Sequence, residues 1–145
     1  MSRATPQLRH LAKQLMVYEK LGSKATEAET PVAFPVNEKL RPHLSQLMGK
    51  AGFRALLSRA LALANHEVPW LRAVHVKADG ALEGVDRLRA EITPSEFIEG
   101  RVELLAQLLG LLIAFIGTNL TLHLVGEVWP HVPLHNLNFG DGGKK

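Results

Sequence analysis

Between Glu103 and Glu127 the chain carries 23 consecutive residues without a formal charge, LLAQLLGLLIAFIGTNLTLHLVG. A helix that is apolar on every side has to be buried in something: its own core, a partner, or a bilayer. The run is long enough to cross a membrane. Ala106, Gly110 and Ala114 form a small-residue stripe at i, i+4, i+8, which lets helices approach closely. Against a membrane span, Gln107, Thr118, Asn119, Thr121 and His123 interrupt the run, and its fully apolar block, Leu108 to Ile116, is nine residues long. Three readings stand: a central core helix, a dimer or partner seam along Leu104 to Val125, and a single-pass anchor through 104–125. In the seam reading Leu108, Leu112, Phe115 and Ile116 supply apolar contact, while Ala106, Gly110 and Ala114 permit close backbone approach.

The start of this helix is well marked. Thr93-Pro94-Ser95-Glu96 offers a capping threonine, proline at the first helical position and a glutamate placed to close a capping box. The spacing predicts a helix over 94–128, with Gly117-Thr118-Asn119 as a kink or break and Pro130 as the stop.

Upstream, Thr5-Pro6 reads as the start of an amphipathic helix with Leu8, Leu11, Leu15 and Tyr18 on one stripe and Gly22 at its end. Ser23 to Val36 reads as a linker, with a proline-flanked edge strand over 31–36 as an option. A short helix is expected over 37–48, starting properly at Pro42, and is broken by Gly49-Lys50-Ala51-Gly52. A stronger one follows over 53–66, with Phe53, Leu56, Leu57, Ala60, Leu61 and Ala64 inward. Val74, Val76 and Ala78 alternate with His75 and Lys77, and Asp79-Gly80 reads as a two-residue hairpin turn, placing a β-hairpin at 72–85. The expected fold class is mainly α (α+β): a single helical domain with a small β-hairpin and one long apolar C-terminal helix. Its segments are an N-terminal helix at 1–22, a linker at 23–36, the helical domain at 37–139 and a flexible tail at 140–145.

With 145 residues the chain is long enough for one buried core and too short for a multidomain enzyme. It contains no cysteine, which removes disulfides, thiolate metal sites and cysteine nucleophiles. MSRATPQLRHLAKQL lacks the apolar core of a secretory signal, so the expected location is cytoplasmic. The formal charge of +3 hides an asymmetry: residues 1–78 hold 12 Lys and Arg against 5 Asp and Glu, whereas 79–145 hold 5 against 9. Such a division fits an anionic partner, head-to-tail association, or two differently solvated faces.

Gly49-Lys50-Ala51-Gly52 precedes a helix and is followed by Arg54, so exposed amides and two cations meet at one helix start. The arrangement resembles the K-homology RNA-binding domain, in which a G-x-x-G loop between two helices clamps a nucleic-acid backbone. The likeness covers about 31–115. It implies that Gly49, Lys50, Gly52 and Arg54 touch phosphates; a basic nucleic-acid binder would work through Lys50, Arg54 and Arg59. The plain reading of the same residues is a helix–turn–helix corner.

Candidate chemistry is sparse. His131 and His135 are four apart, but Pro130 and Pro133 forbid the helix that would bring them onto one face, so no metal site is expected. Glu96, Glu99 and Glu103 read as a solvated helix rim near Arg101. Trp70 and Trp129 sit beside prolines and read as core caps. No catalytic residue and no cofactor are expected. The phrases GFRALLSRALALANHEVPWLRAVHVKADG and LLGLLIAFIGTNLTLHLVGEVWP are similar to those of small uncharacterised bacterial proteins of signalling-associated type. That resemblance implies a soluble bacterial regulatory protein and carries over no site residue. The expected function is a non-catalytic cytoplasmic regulator or adaptor acting through helix-mediated homo- or hetero-association. The alternatives are nucleic-acid binding at the Gly49–Gly52 turn and membrane anchoring through 104–125.

Overall fold

Local capping chemistry opens both the first helix and the longest apolar one. Thr5 Oγ1 accepts the Leu8 N–H at 3.1 Å and Pro6 needs no partner, so α1 runs over Pro6–Gly22. At the other site the Thr93 hydroxyl accepts the Glu96 N–H at 3.1 Å, and the Glu96 carboxylate accepts the Thr93 N–H at 2.9 Å. This reciprocal box starts the helix at Pro94, as the sequence pattern predicts. The computed structural model describes residues 5–22, 35–77, 82–84 and 91–129.

Helix α2 occupies Pro35–Glu67 and is bent at Gly49, whose φ of 83° and ψ of 159° are not helical. It starts earlier than expected. Residues 35–36, placed in a possible strand, are helical, and Pro42 lies inside the helix instead of opening it. The rest of that strand, 31–34, and most of the linker lie outside the described residues. A 3-10 turn at Pro69–Ala73 follows, burying Leu71.

The hairpin is shorter than predicted and its register differs. Strands β1 (His75–Val76) and β2 (Leu82–Glu83) pair antiparallel, with His75 opposite Glu83 and Val76 opposite Leu82. A two-residue turn at Asp79-Gly80, which lies outside the described residues, would instead set Val76 opposite Glu83. The observed register puts the half-buried Val76 and Leu82 on one face and the exposed His75 and Glu83 on the other. A one-residue slip would turn one of this apolar pair outward. Gly84 (φ 98°) ends β2 where a Cβ would overlap the Ala73 carbonyl, so only glycine permits this approach.

Helix α3 (Pro94–Ile116) is the centre of the molecule, with α1 and α2 packed against it. Residues 102–112 are all buried, which makes it a core helix covered on every side for three turns. Leu8, Leu11, Leu15, Leu40, Leu44, Phe53 and Leu57 meet Leu104, Leu105, Leu108, Leu109 and Leu112 in one cluster. The N-terminal helix, set apart by sequence as a segment of its own, therefore shares this core. Fully burying each such leucine contributes roughly 1.5–3 kcal/mol.

The single long apolar helix does not exist. At Gly117 (φ 94°, ψ 158°) the chain turns, and α4 runs over Thr118–Val128 as a separate helix packed against α3. Leu124, Val125, Val128 and Trp129 bury its inner side. Among the described residues, no helix is long and apolar enough to cross a membrane.

Candidate functional site

The most developed polar arrangement joins α1 to α3. Arg9 donates from Nε to Glu103 Oε1 at 2.9 Å and from Nη2 to Glu103 Oε2 at 3.2 Å, a bidentate fork. Gln107 Nε2, one turn on along α3, donates to the same Oε2 at 2.8 Å. The Glu103 side chain is 7% exposed and that of Arg9 35%. The hydrogen bond to Glu103 raises Arg9 above the ordinary arginine value, opposed by its partial burial and aided by the charges of Glu103 and Glu67.

A groove of about 490 Å³ opens beside this cluster, lined by Arg9, Lys13, Ser95, Glu96, Ile98, Glu99, Val102 and Glu103. Lys13 follows Arg9 by one turn while Glu99 precedes Glu103 by one turn, so α1 and α3 run antiparallel along it. Both Glu103 oxygens are taken, and Glu96 is held by the Thr93 backbone. The buried carboxylate thus accepts three hydrogen bonds from within the chain, one at Oε1 and two at Oε2. Among the described residues no group of three or more His, Asp or Glu is placed to hold a metal ion. The expectation of a solvated glutamate rim is corrected at Glu103, which is buried as a clamp between helices. Its Arg9 partner lies 94 positions away, and no local pattern signals a contact of that range. Only Gln107, at i+4 from Glu103, was readable.

Trp70 forms a second junction. Its Nε1 donates to the Glu96 carbonyl at 3.1 Å, and its ring stacks on Phe97 at 5.8 Å between centroids. Arg101 lies 5.2 Å over the Phe97 ring. Gly100 is covered by the indole, which a Cβ there would overlap at Cζ2. This ties the 3-10 turn to the first turns of α3.

The residues proposed for anion binding are only partly brought together. Lys50, Arg54 and Arg59 are all exposed. Lys50 and Arg54 share a helix face at i, i+4, but Arg59 lies nine positions beyond Lys50, roughly 180° around the helix. Gly49 alone leaves helical geometry; Lys50 to Gly52 are already helical, so no four-residue loop is present.

Of the seven proposed interface residues, Ala106, Leu108, Gly110 and Leu112 are buried within the chain and cannot face a partner without unfolding it. The reason is the cover supplied by α1 and α2. Ala114 and Phe115 are exposed, Phe115 by 67%, and Ile116 is half-buried. Across Gly117, Leu120 is 45% exposed, which sequence reasoning did not single out. These exposed apolar residues flank the helix break, Phe115 two positions before Gly117 and Leu120 three after it. Two buried oxygens, Gln14 Oε1 and Thr121 Oγ1, have no hydrogen-bond partner. Comparison with known protein families, with curated proteins and with solved structures gives no match for this chain.

Proposed function

We propose that this protein is a non-catalytic regulatory or adaptor protein of the cytoplasm that works by helix-mediated association with itself or with a protein partner. The observation that supports the reading is the exposed apolar residues flanking Gly117, where Phe115 is 67% and Leu120 45% exposed. A large aromatic side chain left two-thirds in water, with a second exposed apolar residue five positions on, is a natural contact for another protein surface. The Arg9–Glu103–Gln107 cluster, by contrast, spends its hydrogen bonds within the chain, joining α1 to α3.

The test is light scattering after size-exclusion chromatography, without detergent, on the wild type and on a Phe115→Glu, Leu120→Glu double variant. Assembly in the wild type and its loss in the variant, with unchanged far-ultraviolet circular dichroism, is the expected result. Assembly that survives both charges sinks this surface. Absorbance at 260 nm that salt removes would favour the basic helix face at Lys50 and Arg54 instead.

A further inference from the structure

Gly117 is at once the last residue of one helix boundary and the first of the next. One residue therefore separates α3 from α4, and its φ of 94° and ψ of 158° lie in a region open essentially to glycine alone. Among the described residues, nothing beyond its own neighbours in the chain lies within 4 Å of the place a Cβ would take, so the backbone angle, not packing, requires the glycine. No side chain caps the start of α4. Helical hydrogen bonding closes on the residue from both sides: Gly117 N–H donates to the Ile113 carbonyl at 2.9 Å, and Thr121 N–H donates to the Gly117 carbonyl at 3.1 Å.

The apolar pattern runs through this corner as though it were absent. Ile113, Ile116, Leu120 and Leu124 follow at intervals of three, four and four, one stripe of a continuous helix. The bend divides that stripe: Leu124 is buried, Ile113 and Ile116 are half-buried, and Leu120 is exposed. Thr121, beside Leu120, keeps a buried hydroxyl without a partner in the bent arrangement. Gly49 has a similar backbone angle (φ 83°, ψ 159°), but one turn beyond Leu47 and Met48 stand Ala51 and Gly52, so no large apolar stripe crosses that corner.

We propose that Gly117 is an exchange hinge. Rotation at this one residue joins α3 and α4 into a continuous helix over 94–128, and α4 then takes the seat of its counterpart on a second copy of this chain. The exchange is reciprocal and closes into a two-fold dimer. Straightening alone would strip Leu124, Val125, Val128 and Trp129 from the core; a second copy returns the same seat to them. The added contact lies where the two straightened helices cross, on the Ile113, Ile116 and Leu120 stripe. The proposal rests on the association reading above and names its partner and its mechanism.

The experiment compares wild type with Gly117→Ala by light scattering over a concentration series. Alanine disfavours the bent angle and favours helix, so the dimer should tighten by about tenfold or more and dissociate slowly. Insertion of two glycines after Gly117 breaks helix continuity and should leave a monomer of unchanged helix content. A folded, monomeric Gly117→Ala overturns the hinge. Should that variant not fold, wild type refolded at high concentration is read instead: a slowly dissociating dimer supports exchange, and its absence overturns it. A wild-type dimer that re-equilibrates at once on dilution and is lost in Phe115→Glu overturns exchange but leaves surface association standing. Monomer at every concentration overturns exchange, and an absence of any captured partner then removes the association reading too.

Discussion

Arg9 and Glu103, on helices α1 and α3, share two hydrogen bonds of 2.9 and 3.2 Å across 94 positions of sequence. The pair ties α1 to α3 through a fork whose two bonds reach one buried carboxylate.

Removing one partner should cost more than removing both. Arg9→Met strands a carboxylate that is 7% exposed, and since Arg9 itself is 35% exposed the expected loss is about 2 kcal/mol, below the full range for buried pairs. The Arg9→Met, Glu103→Leu double variant should recover most of it. Urea unfolding of the full cycle checks this; a double-variant loss equal to the sum of the two single losses would show that the pair is not coupled.

The Arg9→Met penalty should not shrink as pH is raised from about pH 7 to pH 9. Arg9 is raised, chiefly by its hydrogen bond to Glu103. A raised group contributes fully below its unfolded value and loses that contribution only as pH climbs through the folded one, here above the alkaline end of the window. Unfolding curves of both proteins at the two limits measure it, and a penalty that shrinks at pH 9 contradicts it.

Gly100→Ala should destabilise the chain by about 1–3 kcal/mol and shift tryptophan emission. Its Cβ would overlap the Trp70 ring, 2.8 Å from Cε2, and would press the indole off Phe97 and its Glu96 hydrogen bond. Unchanged stability and emission would mean that the ring is free to move aside.

Gly49 and Gly52, equivalent in a G-x-x-G reading, should separate on substitution. Gly49→Ala meets no atom within 4 Å yet must hold a φ of 83°, so about 2 kcal/mol is lost to backbone strain. Gly52→Ala gains up to about 1 kcal/mol of helix propensity. It also meets Met48 Cβ at 3.3 Å, so its net change stays within about 1 kcal/mol. Parallel urea curves decide, and equal losses would restore the two glycines to a common role.

What the sequence determined by itself was local. The capping hydroxyls of Thr5 and Thr93, the apolar faces of α1 and α2, the interruption at Gly49 and the turn near Gly117 each depend on groups a few residues apart, so their signals lie within one window. The hairpin was legible as a pair of strands, but its register was not, because it sets Val76 opposite Leu82, a cross-strand pairing that no local window contains. The apolar run after Glu103 announced burial without saying in what; α1 and α2 answered that over 102–112, withdrawing Ala106, Leu108, Gly110 and Leu112 from any surface. Tertiary structure alone also paired Arg9 with Glu103, laid Trp70 over Gly100 and left Phe115 and Leu120 in water. Each of these depends on which elements meet in space, and a helix's own residues carry its periodicity but not the identity of the neighbours that cover it.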